Sequence, residues 1–197
     1  MSYILVLAVS YLLGSIPFGL LVSKWWAKVD VRQHGSGNIG MTNVLRTAGV
    51  LCALVTLIGD GGKGFLAVSL ARHFVGGATF PLFAGIFAVM GHNWPVFLRF
   101  KGGKGVATIA GVLLAYKPWG AAILLVVWIL VLVIFRYISL ASLVVAACLP
   151  IVVLYLRTTW LEVVLAAVVS VVTVFRHRSN IERLRQGTEF RFGQKVS

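Results

Sequence analysis

LIGDGGKGFLAV, residues 57–68, places a carboxylate and an ammonium inside a long apolar run. The run extends over residues 48–74, and about 20 apolar residues are enough to cross a bilayer as an α-helix. Asp60 and Lys63 have i,i+3 spacing and share a helix face. Because an isolated charge in a bilayer is costly, we expect an ion pair, while a second role for Lys63 in a substrate site stays open. The glycines of the motif predict close approach of a neighbouring helix.

The composition of the whole chain indicates a membrane protein. Of its 197 residues, 59% are hydrophobic and only 12% are charged, whereas soluble domains contain about 25% charged residues. We predict an all-α fold, a polytopic membrane helix bundle with seven transmembrane helices in a single domain, residues 1–197. The first span shows no signal-peptide cleavage site. The predicted spans are residues 2–23, 48–74, 80–98, 106–116, 119–135, 139–156 and 160–175.

The basic residues predict the topology. If all seven segments span and the N-terminus lies outside, the outer loops contain only Arg72, Lys117 and Arg157 of the basic residues. Because basic loops stay in the cytoplasm, we expect an outside N-terminus and a cytoplasmic C-terminus. The net charge of +13 arises in short gaps between apolar segments, which argues against nucleic acid as a partner. Three polar segments then share the cytoplasmic face: residues 24–47, 91–105 and 176–197.

The first polar segment contains HGSGNIGMTNVLRTAG, residues 34–49. Glycine tolerates a positive φ, and successive backbone N–H groups in such a turn form an anion-binding nest. Short polar side chains and an arginine accompany the turn. We predict an oxyanion site, and the alternative is a flexible glycine loop. The candidate ligands are Gly35, Ser36, Gly37, Asn38, Thr42, Asn43 and Arg46.

The second polar segment contains GHNWPVFLRFKGGKGVAT, with the second copy of GGKG. Pro95 ends the preceding helix, and the glycine turn stands directly before an apolar segment. At a helix start, backbone N–H groups and a lysine ammonium suit a phosphate group. His92 has two interpretations, a hydrogen-bond donor at the membrane interface or a residue of the site. The candidate phosphate ligands are Gly102, Gly103 and Lys104.

The third polar segment contains RHRSNIERLRQGTEFRFG, residues 176–193. His177 belongs to the residue type that titrates near neutral pH, and Asn180 lies in the first turn of a short predicted helix. The tetrapeptide SNIE matches a capping box, which gives Glu182 a structural role. The arginines suit the anionic head groups of membrane lipids. Glu189 has no evident local partner.

Between the fifth and sixth spans, RYISLAS adds Arg136, Ser139 and Ser142 on the same side of the membrane. Lipid anchoring and helix capping explain these three residues equally well.

The inventory of reactive side chains excludes several reaction classes. The chain has five acidic residues, which form neither a carboxylate pair nor, with histidine, a metal-binding cluster, so we expect neither a metal nor a cofactor. Both cysteines, Cys52 and Cys148, lie in apolar runs, which argues against a covalent thiol mechanism. What remains is a cationic, glycine-lined pocket that binds phosphorylated small molecules and stabilises developing negative charge.

Three stretches resemble, in order and placement, the three cytoplasmic motifs of the bacterial acyl-phosphate:glycerol-3-phosphate acyltransferases, the PlsY family: GSGNIGMTNVLRTAG, GHNWPVFLRFKGGKGVAT and HRSNIERLRQGTE. GDGGKG and RYISLAS resemble further family patterns, so the similarity covers nearly the whole chain. The resemblance implies a multi-pass enzyme of the bacterial cytoplasmic (inner) membrane, with its active site facing the cytoplasm. It would transfer a fatty acyl group from acyl phosphate to the 1-hydroxyl of glycerol 3-phosphate. The products would be lysophosphatidic acid and phosphate, with neither acyl-CoA nor acyl carrier protein as direct donor.

An acyl phosphate is already activated, so its leaving group needs positioning and charge stabilisation more than a nucleophilic side chain. We expect the first glycine turn with Arg46 to hold one phosphate, and the second with Lys104 to hold the other. His177 and Asn180 would orient the hydroxyl, which attacks directly without a covalent acyl-enzyme. Either His177 is the general base, or the departing phosphate takes the proton itself, since its second pKa is about 6.

The resemblance also extends the set of candidate site residues. The expected substrate contacts include Ser142 and Glu189, and the further candidates are His92, Lys63, Asp60, Arg136 and Ser139. His177 and Glu182 have the spacing of the His-x₄-Asp pair of another acyltransferase class, but the capping box already explains Glu182.

Two other protein classes are the alternatives to an enzyme. A transporter or channel for phosphorylated solutes would need polar access from both membrane faces, and the predicted outer loops are very short. A scaffold that binds anionic lipid would leave the cluster of Ser36, Asn38 and Asn43 unexplained.

Overall fold

A computed structural model describes residues 2–194; Met1 and residues 195–197, which include Lys195 of the basic tail, lie outside the described part. Over this range the chain forms ten α-helices, one short 3₁₀ turn and no strand. The helices are α1 (Tyr3–Ser15), α2 (Phe18–Trp26), α3 (Met41–Ala48), α4 (Val50–Phe74), α5 (Phe80–Asn93), α6 (Val106–Tyr116), α7 (Pro118–Phe135), α8 (Ile138–Tyr155), α9 (Trp160–Arg176) and α10 (Arg178–Arg185), and the 3₁₀ turn is Val96–Leu98.

The predicted all-α membrane fold is confirmed. Five segments of the described chain are long and apolar enough to cross a membrane: Tyr3–Trp26, which joins α1 and α2, Phe80–Leu98, and the helices α4, α7 and α8. The pair α9 and α10 is bent by 58° and supplies a sixth span if the pair crosses as one. α6 has 11 residues, fewer than the span of a typical bilayer requires. The number of seven spans therefore stays a prediction.

The first predicted span, residues 2–23, is interrupted in the structure. α1 and α2 are separated by Ile16 and Pro17. Proline has no backbone N–H, so it cannot continue the hydrogen-bond ladder of a helix. At this break the Ile16 carbonyl accepts a hydrogen bond from Lys63 Nζ at 3.0 Å. The break, which the sequence analysis did not predict, thus gives a lysine inside the membrane a polar partner.

The described chain divides into two compact units, residues 2–116 and Lys117–Gln194. In the first unit, α4 is the central helix and packs against α1, α2, α3, α5 and α6. In the second unit, α8 packs against both α7 and α9, and α10 follows α9 after a single residue.

Glycines let α4 and α6 approach each other closely in the first unit. A side-chain carbon added at Gly64 would overlap the backbone of Thr108, and one added at Gly111 would overlap the backbone of Gly61. Gly61 and Gly64 both belong to the first GGKG motif, so the predicted close approach of a neighbouring helix is confirmed. Gly62, in the same motif, faces open space.

We expect Gly64→Ala to destabilise the protein and Gly62→Ala to leave it at least as stable as the wild type. The added methyl at position 64 forces α4 and α6 apart, and overpacking of this kind costs about 1–3 kcal/mol. At position 62 the methyl meets nothing, and alanine is the better helix former by about 1 kcal/mol. Thermal unfolding of both variants in one detergent measures the difference, and equal melting temperatures would contradict the close packing.

Candidate active site

Asn43, which is 2% exposed, makes several of the hydrogen bonds that shape the loop leading into α3. Its amide nitrogen donates to the carbonyls of Val31 at 2.8 Å, Asn38 at 2.9 Å and His34 at 3.1 Å. Its amide oxygen accepts the backbone N–H of Ser36 at 2.9 Å. Both ends of the amide are therefore engaged by the loop itself, and we interpret Asn43 as the residue that shapes the turn.

The turn has the backbone geometry that the glycines predict. Gly35 and Gly37 have φ values of 59° and 68°, in the left-handed region that favours glycine. A carbon added at Gly35 would also overlap the Asn43 side chain. The side chain of Asn38 accepts the backbone N–H of Gly40 at 2.8 Å and closes the turn directly before α3.

Ser36, Thr42 and Arg46 are half-buried and lie in or beside this turn. Thr42 and Arg46 have i,i+4 spacing on α3, so they share one helix face. A hydroxyl and a guanidinium one turn apart can donate hydrogen bonds to the same oxyanion, and the guanidinium matches two phosphate oxygens at once.

Asp30, which the sequence analysis did not single out, anchors the start of this loop. Its Oδ2 lies 2.6 Å from Arg32 Nη2 and 3.1 Å from Lys24 Nζ. The hydrogen bond from Arg32 is the main cause that holds the pKa of the Asp30 carboxyl well below its usual range, and Lys24 contributes further. Because Lys24 lies in the last turn of α2, this ion cluster ties the loop to that helix.

The second GGKG motif lies against the end of α5. The backbone N–H of Gly103 donates to the His92 carbonyl at 3.0 Å, and a carbon added at either Gly102 or Gly103 would overlap atoms of His92. Gly105 has a φ of 82° and is the last residue before α6. Lys104 is half-buried between two buried glycines. The motif therefore holds Lys104 at a helix start, as the sequence predicts.

Asp60, Lys63 and His92 form a buried charged cluster in the first unit. Lys63 Nζ lies 2.8 Å from Asp60 Oδ1, so the predicted ion pair is confirmed. His92 Nδ1 lies 3.5 Å from the same oxygen, and no side chain of the three is more than 4% exposed. This burial shows that the interpretation of His92 as an interfacial donor is wrong. Because the His92 ring also packs on Gly103, the cluster connects the first GGKG copy to the second.

In the second unit the carboxylate of Glu189 accepts three hydrogen bonds. Its Oε1 accepts from Ser139 Oγ at 3.1 Å and from Asn180 Nδ2 at 2.9 Å. Its Oε2 accepts from Arg183 Nε at 2.7 Å. The expectation that Glu189 has no local partner is therefore wrong. Arg183 is a neighbour in sequence, and Ser139, 50 positions away, is brought close only by the fold.

His177 follows the end of α9 and is 2% exposed. Its Nδ1 lies 2.8 Å from the carbonyl oxygen of Thr173, one helical turn earlier. Since a carbonyl only accepts, we assign the proton of the neutral imidazole to Nδ1, which makes Nε2 the basic nitrogen. The geometry of the helix end thus sets the tautomer that a general base acting through Nε2 requires.

The predicted capping box at the start of α10 is wrong. α10 begins directly after His177 without a side-chain cap, so Ser179 lies inside the helix. The preceding helix ends one residue earlier, and the bend of 58° between the two helices sets this start. Glu182 is exposed and accepts a hydrogen bond from Gln186 Nε2 at 2.5 Å.

Helix capping by the serines of RYISLAS is also wrong, because α8 begins without a side-chain cap. Ser142 donates to the carbonyl one turn earlier at 2.9 Å and accepts from Trp128 Nε1 at 3.3 Å. Ser139 instead binds Glu189. Arg136 donates to the Phe192 carbonyl at 3.3 Å and fastens the chain after α10 to the start of α8.

A family model described as glycerol-3-phosphate acyltransferase matches residues 4–187. The chain belongs to the PlsY family of glycerol-3-phosphate acyltransferases. The match includes residues of both compact units, the first two polar motifs and the third motif as far as Gly187. The protein is therefore an acyltransferase of the integral membrane type, and the transporter and scaffold alternatives are set aside.

Relatives of this acyltransferase match it along essentially its whole length. The glycerol-3-phosphate acyltransferase of Alkaliphilus metalliredigens is 44% identical over 198 residues, which cover 100% of each chain. The enzyme of Bordetella pertussis is 48% identical over 201 residues, with 98% of this chain and 93% of the relative covered.

Two crystal structures of the integral membrane acyltransferase PlsY (YgiH) share the fold. The glycerol 3-phosphate form superposes with a TM-score of 0.92 at 38% identity, and the lysophosphatidic acid form with a TM-score of 0.89 at 36% identity. Each comparison covers 98% of this chain and 96% of the other.

The fold of this acyltransferase sorts the predicted site residues into groups. The first turn and α3 bring together Gly35, Ser36, Gly37, Asn38, Thr42, Asn43 and Arg46. The second turn and its support bring together Asp60, Lys63, His92, Gly102, Gly103 and Lys104. In the second unit, Ser139, Asn180 and Glu189 are directly hydrogen-bonded, while His177, Arg136 and Ser142 bind the carbonyls of Thr173, Phe192 and Ile138.

Proposed function

We propose that this PlsY-family protein transfers a fatty acyl group from acyl phosphate to the 1-hydroxyl of glycerol 3-phosphate. The observation that supports the proposal is the presence of two cationic glycine turns in the first unit, one beside Arg46 and one around Lys104. Donor and acceptor each carry a phosphate group, so the reaction needs two such sites. The glycerol 3-phosphate and lysophosphatidic acid forms of the related PlsY support the acceptor and the product.

The proposed chemistry needs little nucleophilic machinery. The acceptor oxygen attacks the acyl carbonyl carbon, the bond from that carbon to the phosphate oxygen breaks, and phosphate leaves with the electron pair. Because acyl phosphate is a mixed anhydride, the transfer proceeds without an acyl-enzyme. The Lys104 ammonium and the backbone N–H groups of a glycine turn stabilise negative charge as it develops on phosphate. Arg46 and the first turn bind the other phosphate group.

We propose His177 as the general base for the attacking hydroxyl, because its Nδ1–H is directed to the Thr173 carbonyl and Nε2 remains basic. The departing phosphate, with a second pKa of about 6, is the alternative proton acceptor.

His177→Gln is then expected to lower kcat by about 10²–10⁴-fold, the usual contribution of a general base. The measurement is kcat between about pH 6 and pH 8, where an unperturbed histidine titrates. The exposed His73→Gln is the matched control and should behave as the wild type. Near-normal turnover of His177→Gln across this pH range would assign the proton to the departing phosphate.

We also propose seven spans, with α6 and α9 as the two shorter ones, an outside N-terminus and a cytoplasmic C-terminus in the bacterial cytoplasmic (inner) membrane. The uneven distribution of basic residues supports this topology. The active site then opens to the cytoplasm. This topology is tested by placing a single cysteine at position 28 or at position 157 and labelling intact cells with an impermeant thiol reagent. The cysteine at position 157 should react, and the one at position 28 should not.

The deciding experiment uses the purified protein with acyl phosphate, labelled glycerol 3-phosphate and no added metal or cofactor. Labelled lysophosphatidic acid is the expected product, and a parallel reaction with acyl-CoA should give none. If only acyl-CoA gave product, the assignment of acyl phosphate as the donor would be wrong. If neither donor gave product, the proposed reaction itself would be overturned.

A further inference from the structure

We propose that Glu189 is a positioning residue for this reaction: it holds the Asn180 side chain so that the amide oxygen, and not the amide nitrogen, is offered to the 2-hydroxyl of glycerol 3-phosphate, while the hydrogen of the attacking 1-hydroxyl goes to the general base. The proposal rests on the proposed function and on the expectation from the sequence that Asn180 orients the acceptor. It replaces the expectation that Glu189 itself binds substrate.

Glu189 is poorly suited to contact the substrates. Both proposed substrates are phosphates, and a carboxylate repels a phosphate at close range. The side chain is 5% exposed, and both of its oxygens are engaged by protein donors. A buried carboxylate with three donors from two helices, α8 and α10, is typical of a structural or positioning group.

The bond between Glu189 and Asn180 fixes the orientation of the amide. An ionised carboxylate only accepts hydrogen bonds, so the end of the Asn180 amide that faces it must be Nδ2. The distance from Nδ2 to Glu189 Oε1 is 2.9 Å, and Asn180 is 4% exposed. The amide oxygen therefore points away from Glu189. Without the carboxylate the negative charge that selects this orientation is lost, and an amide that presents Nδ2 to the substrate cannot accept the hydrogen of a hydroxyl.

Two further donors hold the carboxylate itself. Arg183, on α10, binds Oε2 at 2.7 Å. Ser139, at the start of α8, binds the oxygen that Asn180 also uses. Gly187, with a φ of 69°, turns the chain after α10 so that residue 189 comes back over the helix. Through Glu189, Asn180 is thereby tied to Ser139 on α8 and to Arg183 on its own helix, α10.

A double-mutant cycle tests the proposal. Glu189→Gln and Asn180→Ala are each expected to lower kcat by about 10–100-fold, the size of a lost orienting contact. If Glu189 acts through Asn180, the double variant should equal Asn180→Ala within about twofold, because the two changes remove one interaction. A merely structural role would not produce this lack of additivity. Glu182→Gln, the same change at an exposed position of α10, should leave kcat unchanged.

The outcomes separate the two proposals. Losses that multiply in the double variant would show that Glu189 acts on the substrate or the fold independently, and would overturn the inference. A wild-type protein that makes no lysophosphatidic acid from acyl phosphate would overturn the proposed function, and the inference with it. If Glu189→Gln is not recovered folded, Arg183→Ala takes its place, since it loosens the same carboxylate from its other side. The same lack of additivity with Asn180→Ala is then expected, and additive losses again overturn the inference.

Discussion

Lys104→Ala is expected to lower turnover by about a thousandfold, the loss that follows when a main charge-stabilising group is removed from an active site. Lys104 is half-buried between the buried Gly103 and Gly105, two residues before the start of α6. The ammonium therefore adds to the partial positive charge of a helix start, and in the proposed reaction this charge stabilises the departing phosphate. The measurement is kcat and KM for both substrates with the purified protein.

The fold of this variant should be retained, because Lys104 is only half-buried and the buried cluster of Asp60, Lys63 and His92, which supports the loop, is unchanged. Lys101→Ala is the matched control: it removes the same charge from an exposed position of the same loop. We expect it to retain most of the activity. Equal losses in the two variants would reduce the role of Lys104 to general attraction of anions. Full activity of Lys104→Ala would show that the loop is not the site of charge stabilisation.

Much of the fold follows from local sequence pattern. Runs of apolar residues with breaks at glycine, proline and charge mark the long helices to within a few residues, because the backbone of a membrane protein must satisfy its own hydrogen bonds. Pro17 was the available signal for the interrupted first helix, and the high hydrophobicity on both sides of it obscured the break. The predicted capping box failed because α10 starts where α9 ends, which depends on the bend between two helices.

The candidate site also combines features that local sequence predicts with features that depend on the fold. The glycine turns were predictable, since positive φ values and closeness to a helix start are local properties. The bonds of Asn43 to Val31 and of Glu189 to Ser139 depend on how distant parts of the chain meet, and no spacing rule signals them. The sequence therefore names candidate site residues, while the fold shows which of them are engaged by the protein itself, as Asn43 and Glu189 are.

Asp60→Ala is expected to be the most destabilising change in the charged cluster, by about 3–5 kcal/mol, the usual cost of leaving a buried charge without its partner. Lys63 is 3% exposed, and after the change its ammonium retains the Ile16 carbonyl but no carboxylate. Lys63→Ala should cost less, because Asp60 still has His92 Nδ1 at 3.5 Å. Thermal unfolding of both variants in one detergent measures this order.

The double variant Asp60→Ala/Lys63→Ala separates charge from packing. It creates the larger cavity but contains no unpaired ammonium, so it should be more stable than Asp60→Ala alone. If the double variant were less stable than Asp60→Ala, packing and not charge would account for the contribution of the cluster to stability. Because His92 connects Asp60 to the Gly103 backbone, we further expect Asp60→Ala protein that remains folded to lose activity through the Lys104 loop. The two GGKG motifs then have different roles, with Lys63 in the support and Lys104 at the phosphate.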